Sequence, residues 1–148
     1  MEERFKLFTL LITDLYRSIK RLRAEEMFKF GLKSIHLSCL HYVYKEGPIS
    51  SKELCVVCRE DKGNISRSLK TLIERGYVKD SETEKGKFAL TAEGTLLTEQ
   101  LETKINSVLK RAGSGLDSEQ REIMYSGLTI INSNLTEICD NYNEIREY

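Results

Sequence analysis

The sequence predicts a mainly α-helical fold interrupted by one small β-hairpin. Three observations predict it. Apolar residues recur at alternating steps of three and four near both chain ends. Helix start and stop signals follow one another closely between residues 34 and 76. One short stretch, residues 77–90, changes to strand-like patterning around a glycine.

The first element is a long helix. Phe5, Phe8, Ile12, Leu15, Ile19 and Leu22 are spaced by 3, 4, 3, 4 and 3, the repeat of a helix that buries a seam against another helix. Arg17, Lys20, Arg21 and Arg23 fall opposite. Ser34 is placed to cap a second helix bearing Leu37, Leu40 and Val43 or Tyr44, which Gly47-Pro48 stops. Ser50-x-x-Glu53 has the form of a capping box and opens a short helix with Leu54 and Val57, broken at Arg59-Glu60. Asp61 then caps a helix running through Asn64, Ile65, Leu69, Leu72 and Ile73 to Gly76, a left-handed stop.

Tyr77-Val78-Lys79-Asp80 and Phe88-Ala89-Leu90 read as strands joined by Ser81 to Lys87, with Gly86 supplying the positive φ of the turn. A further helix spans about Ala92 to Lys110 with Leu97, Leu101, Ile105 and Val108 in register, and ends at Gly113-Ser114-Gly115. Asp117, with Gln120 as capping partner, starts the last helix, whose seam is Met124, Leu128, Ile131, Leu135, Ile138, Tyr142 and Ile145. Helix, short helix, turn, helix and β-hairpin is the order of a winged helix-turn-helix, here with long N- and C-terminal helices. The expected organisation is one domain over 1–148: dimerisation helices at 1–33 and 114–148, the winged helix-turn-helix at 34–91, and a connecting helix at 92–113.

Composition narrows the class. A chain of 148 residues, 40% hydrophobic, can bury one real core. No apolar run approaches the roughly 18 residues of a membrane span, and Met1-Glu2-Glu3-Arg4 lacks a signal-peptide layout, so a cytoplasmic protein is expected. The net charge is zero, but its distribution is uneven. Residues 1–33 hold eight Lys/Arg against five Asp/Glu, residues 59–87 eight against six, and residues 114–148 two against seven. The acidic end is not expected to face a phosphate backbone.

The helix over 62–75 carries the functional pattern. At about 100° per residue, Ile65, Leu69, Leu72 and Ile73 share one face. Gly63, Arg67, Lys70, Thr71 and Glu74 take the other, with Asn64 and Ser68 on the flank. A small, polar, mostly basic face is what a helix needs to enter a major groove about 12 Å wide. Arg67 and Lys70 can reach guanine edges or phosphates, Asn64 can pair with adenine, Ser66 and Ser68 are short enough for phosphate or base contacts, and Gly63 permits close approach.

The segments 50–58 and 61–78, and the Leu90-Thr91-Ala92-Glu93-Gly94 that closes the hairpin and opens the next helix, resemble the MarR-family winged helix-turn-helix. The resemblance implies a homodimer built from the first and last helices. It also implies recognition helices in successive major grooves of a near-palindromic operator, and wings on adjacent minor grooves. The matching reader positions are Lys62, Gly63, Asn64, Ser66, Arg67 and Lys70. The wing departs from the family pattern: Glu82 and Glu84 stand where an aspartate and an arginine are usual, leaving Lys85 and Lys87 for phosphate contact, with Lys79 assisting.

Cys39, Cys55, Cys58 and Cys139 are expected as reduced thiols without a disulfide framework. Cys55-x-x-Cys58 lacks a second pair at zinc-finger spacing and reads as core packing. His36, Cys39 and His41 do not complete a metal set. Cys139, near the expected subunit seam, reads as a buried packing thiol, with an intersubunit disulfide as the alternative. No catalytic triad, phosphate-cradling loop, metal-plus-carboxylate motif or cofactor motif is present, and an enzyme is not expected. The expected function is sequence-specific double-stranded DNA binding as a homodimeric transcriptional regulator. The resemblance further implies a small phenolic or other lipophilic effector between the dimer helices and the winged domain, with Tyr16, Phe28, Phe30, Tyr42 and Tyr44 as candidate lining and core packing as the alternative reading of these aromatics. The alternative is a winged-helix protein-interaction module without DNA binding.

Overall fold

The computed structural model describes residues 2–146, with side chains placed for residues 3–142. Met1 and the side chain of Ile145 lie outside the described residues. The elements run α1 (Glu2–Phe28), α2 (Ser34–Glu46), β1 (Ile49–Ser50), α3 (Ser51–Cys58), α4 (Lys62–Glu74), β2 (Val78–Asp80), β3 (Lys87–Leu90), α5 (Ala92–Ala112) and α6 (Ser118–Arg146). This is the mainly helical winged fold that the sequence predicts. The chain forms two compact units, Met1–Ser107 and Val108–Tyr148. No helix among the described residues is long and apolar enough to cross a membrane.

Local chemistry sets the helix starts in the first unit. The hydroxyl of Ser50 accepts the Glu53 amide at 3.1 Å while the Glu53 carboxylate accepts the Ser50 amide at 2.7 Å. Two donors at the start of α3, which otherwise have no intrahelical acceptor, are thereby satisfied reciprocally. Asp61 Oδ1 accepts the Asn64 amide at 2.8 Å and starts α4. The start of α2 differs from expectation. Its N-cap is Lys33, whose amide donates to His36 Nδ1 at 2.8 Å, and Ser34 is already helical. The imidazole at the third helical position accepts the amide of the N-cap residue, the returning half of a capping box, in place of a serine cap.

The core of this unit is contiguous: Met27, Leu37, Leu40, Val43, Leu54, Ile65, Leu69, Leu72, Val78, Leu97 and Leu101 are all buried. Each such side chain contributes roughly 1.5–3 kcal/mol of burial, which clamps α4 against α2 and α3 and fixes which face it shows to water. The sheet has three strands in the order β1-β3-β2, all antiparallel. β1, which the sequence reading lacks, consists of two residues and exists through its pairing of Ile49 with Phe88 and Ser50 with Lys87. The tip of the wing is organised by Ser81, whose hydroxyl accepts the Thr83 and Glu84 amides at 3.3 and 3.1 Å and whose amide donates to the Lys87 carbonyl at 2.8 Å. Gly86 takes the positive φ that the turn demands.

In the second unit, α6 starts with the expected capping box: Asp117 Oδ1 accepts the Gln120 amide at 2.8 Å and Gln120 Oε1 accepts the Asp117 amide at 3.0 Å.

Candidate nucleic-acid interface

The polar face expected on α4 is present. Lys62, Ser66, Arg67 and Lys70 are exposed, and Gly63 and Asn64 are half-buried beside them. Two assignments on this helix change. Ser68 is 3% exposed and faces the core, so it is not available for phosphate or base contact. Ile73, expected in the core, is 43% exposed. Positions 68 and 73 lie on the two borders of the apolar stripe, and the packing of α2 and α3 turns the helix so that the serine side is covered.

The first turn of α4 is tightly bonded. Asn64 Nδ2 donates to Glu60 Oε2 at 2.9 Å, and Asn64 Oδ1 accepts from Arg67 Nη2 at 3.0 Å. A Cβ built on Gly63 would meet Arg67 Nη1 at 3.1 Å and Asp61 Oδ1 at 3.2 Å. Glycine at this position therefore makes room for the guanidinium over the helix start. Lys70 stands 4.0 Å from Glu74, a loose pairing on an exposed face. From the sequence Glu60 is expected only as part of the break after the short helix, not as a partner of the polar face. Its signal was the four-residue spacing to Asn64 across the N-cap. Arg75, at the end of the same helix, is directed elsewhere, donating to the Phe30 carbonyl at 3.1 Å.

On the wing, Lys79 is held by Glu82 at 2.8 Å and Lys87 approaches Glu84 at 3.6 Å, whereas Lys85 is exposed and forms no ion pair within 4.0 Å among the described residues. The Lys79 ammonium, by hydrogen bond and charge, holds the Glu82 carboxyl below its ordinary range. Lys87 is half-buried at the foot of the wing, paired in register with Ser50.

A cavity of about 470 Å³ opens within the first unit and is lined in part by Arg23, Ser38, His41, Tyr42, Cys58 and Glu102. Arg23 Nη2 donates to Ser38 Oγ at 2.8 Å, and His41 Nδ1 is hydrogen-bonded to Glu102 Oε1. The aromatic lining expected for a cleft reduces here to Tyr42. Tyr16, Phe28 and Tyr44 are 63%, 82% and 42% exposed, and Phe30 packs against the core. The Cys39 thiol donates to Cys58; this bond, together with burial, raises Cys39, and the same bond lowers Cys58 relative to an ordinary thiol against the opposing effect of burial. Cys55 packs on the core as expected. Cys139 is exposed on α6, not buried.

A capped short helix, a polar-faced second helix and a three-stranded wing define a winged helix-turn-helix protein. The model of the MarR family matches residues 30–86. Over those residues the chain is similar to the MarR family. Solved structures share the fold over most of the chain. A MarR family protein from Bacillus stearothermophilus superposes with a TM-score of 0.80 at 14% identity, over 92% of this chain and 98% of that one. A MarR transcriptional regulator from Methanosarcina mazei gives 0.74 at 24%, over 90% and 92%. The Staphylococcus aureus MepR–DNA complex gives 0.72 at 18%, over 86% and 96%. No curated protein sequence matches the chain.

Proposed function

We propose that this chain is a sequence-specific double-stranded DNA-binding transcriptional regulator that acts as a homodimer on a near-palindromic operator. The observation that carries the reading is the exposed row Lys62, Ser66, Arg67 and Lys70 on a helix capped at Asp61 and clamped by its opposite face. A rigid helix that offers two arginine or lysine side chains from its N-terminal half suits a major groove. The fold it shares with MepR, a transcription regulator of a multidrug efflux pump solved bound to DNA, supports the same reading.

The homodimer rests on uncovered apolar seams in each unit. On α1, Phe5 is 70% and Leu15 56% exposed, and on α6, Leu135 is 51% and Ile138 49% exposed. Seams of this length in water favour a partner helix, and a second copy supplies it. Leu15→Lys with Leu135→Lys is then expected to yield monomers by sedimentation. A dimer retained in that variant would refute the seam assignment. A small effector has a candidate seat in the 470 Å³ cavity, whose Arg23, His41 and Glu102 favour a polar over a purely lipophilic ligand.

Selection from a random duplex pool, followed by affinity measured across a salt series, tests the function. A defined half-site and an affinity that falls steeply with salt are expected, since only neutralised phosphates produce that slope. Failure to bind any duplex at about 50 mM salt would replace the reading with a winged-helix protein-interaction module.

A further inference from the structure

We propose that Glu60, Asn64 and Arg67 form one guanine-reading device, in which Asn64 positions Arg67 and reads no base itself. The inference rests on the DNA-binding reading above and assigns roles within its reader face. Asparagine reads adenine with both ends of its amide, accepting from N6 and donating to N7. Both ends of Asn64 are already engaged: Nδ2 donates to Glu60 at 2.9 Å and Oδ1 accepts from Arg67 at 3.0 Å.

The orientation of that amide is fixed by its neighbours. An ionised carboxylate only accepts and a guanidinium only donates, so the Asn64 amide has one arrangement that serves both. A flip to meet adenine breaks both bonds. Glu60 is half-buried just outside the helix, and its carboxylate sits beside the N-terminal turn, where the helix dipole favours negative charge.

The guanidinium is held at the same time. Arg67 is an exposed, flexible side chain whose ordering would otherwise be deferred to binding. Here Asn64 fixes Nη2, and the missing Cβ of Gly63 leaves the seat occupied by Nη1, 3.1 Å from where that atom would stand. Each terminal nitrogen of the fork carries two hydrogens, so the bond to Asn64 leaves donors for the O6 and N7 acceptors of guanine. Lys70, three residues on, lacks such a brace and is left for phosphate contact.

Duplex selection with the full-length wild type and five variants tests the device. The wild type is expected to enrich a half-site with one strong guanine column, and Arg67→Ala to erase that column. Asn64→Ala and Glu60→Ala are expected to weaken the same column about tenfold and leave the others, within the range that one bidentate base contact supplies. Glu60→Gln, whose amide oxygen still accepts from Asn64, should retain the preference, which a merely electrostatic role of the carboxylate would not predict. Gly63→Ala should weaken the guanine column, since its Cβ would displace the Arg67 guanidinium from its seat. The inference is overturned if Asn64→Ala removes an adenine column that Arg67→Ala leaves, or if Asn64→Ala and Glu60→Ala leave the guanine column intact. If the wild type enriches no duplex, the DNA-binding reading falls and the device with it.

Discussion

The backbone of Tyr77 lies directly against Gly94: a Cβ built on Gly94 would fall onto the Tyr77 carbonyl, 2.8 Å from its carbon and 3.1 Å from the Tyr77 Cα. The wing and α5 are joined at this point, where Thr91 Oγ1 donates to the Gly76 carbonyl at 2.6 Å and accepts the Gly94 amide at 3.0 Å. The Leu90-Thr91-x-x-Gly94 pattern is therefore steric and hydrogen-bonding in origin. Its threonine ties the helix start to the end of α4, and its glycine lets backbone touch backbone.

Gly94→Ala should accordingly destabilise the protein by about 3 kcal/mol, because the obstacle is main chain and not a side chain that can rotate away. Gly113→Ala is the control, since the nearest neighbour of its Cβ would be at 3.7 Å. Urea unfolding of the two variants checks the contrast. Equal midpoints would contradict the packing described here.

His36 makes stability depend on pH near neutrality. Burial, with the charges of Lys33 and Arg75, lowers the pKa of His36 from its ordinary 6.5. Its Nδ1 accepts the Lys33 amide, a bond that only the neutral ring can make. A depressed pKa in the folded state means that the contribution is full above about pH 6.5 and is lost as pH falls through the lowered value. The urea midpoint should thus drop between pH 7.5 and pH 5.5. His36→Asn, whose amide oxygen can still accept, should flatten that drop at a cost of about 1 kcal/mol at the higher pH. An unchanged pH profile in His36→Asn would assign the effect to another group.

Ser50 and Glu53 act in a more acidic range. Hydrogen bonds from Ser50 lower the Glu53 carboxyl below its ordinary 4.5, so the capping-box contribution is present above that value and lost as pH falls through the lowered one. Ser50→Ala should cost about 1 kcal/mol at neutral pH. Glu53→Gln should keep the box and lose its acid sensitivity, as read by thermal melts at pH 7 and about pH 3.5.

These two sites also indicate which parts of the fold were legible in the sequence. Ser50 with Glu53, Asp61 with Asn64, and Asp117 with Gln120 are contacts across three residues, and three-residue chemistry is written in the chain itself. β1 was not legible, because two residues become a strand only when Lys87 and Phe88 come to lie beside them. Ser68 and Ile73 were misplaced because both border the apolar stripe, and α2 and α3, not periodicity, decide which border is covered. The polar row on α4 was legible as a face, whereas the Glu60 brace crosses the break between α3 and α4, where no helical periodicity relates its residues. The aromatics divide in a way periodicity does not reveal: Tyr42 lines the cavity and Phe30 packs on the core, while Tyr16 and Phe28 stay exposed, because burial depends on which helix face meets a neighbour.

The wing yields the last prediction. Three lysines and three carboxylates lie between Lys79 and Lys87, so the segment is neutral overall. Their pairing is nevertheless unequal. Glu82 holds Lys79 and Glu84 approaches Lys87, and only Lys85 reaches solvent uncompensated among the described residues of the wing. An uncompensated cation releases a counterion from DNA when it meets a phosphate, and a paired one exchanges one partner for another. Lys85→Ala should weaken duplex binding and shallow the salt dependence by about one unit of log–log slope per wing, and Lys87→Ala should change it far less. Glu82→Gln should act in the opposite direction, freeing Lys79, strengthening binding and steepening the slope. Binding isotherms at four salt concentrations distinguish these variants. If Lys85→Ala and Glu82→Gln both leave the slope of the wild type unchanged, the wing makes no phosphate contact and the recognition helix alone holds the operator.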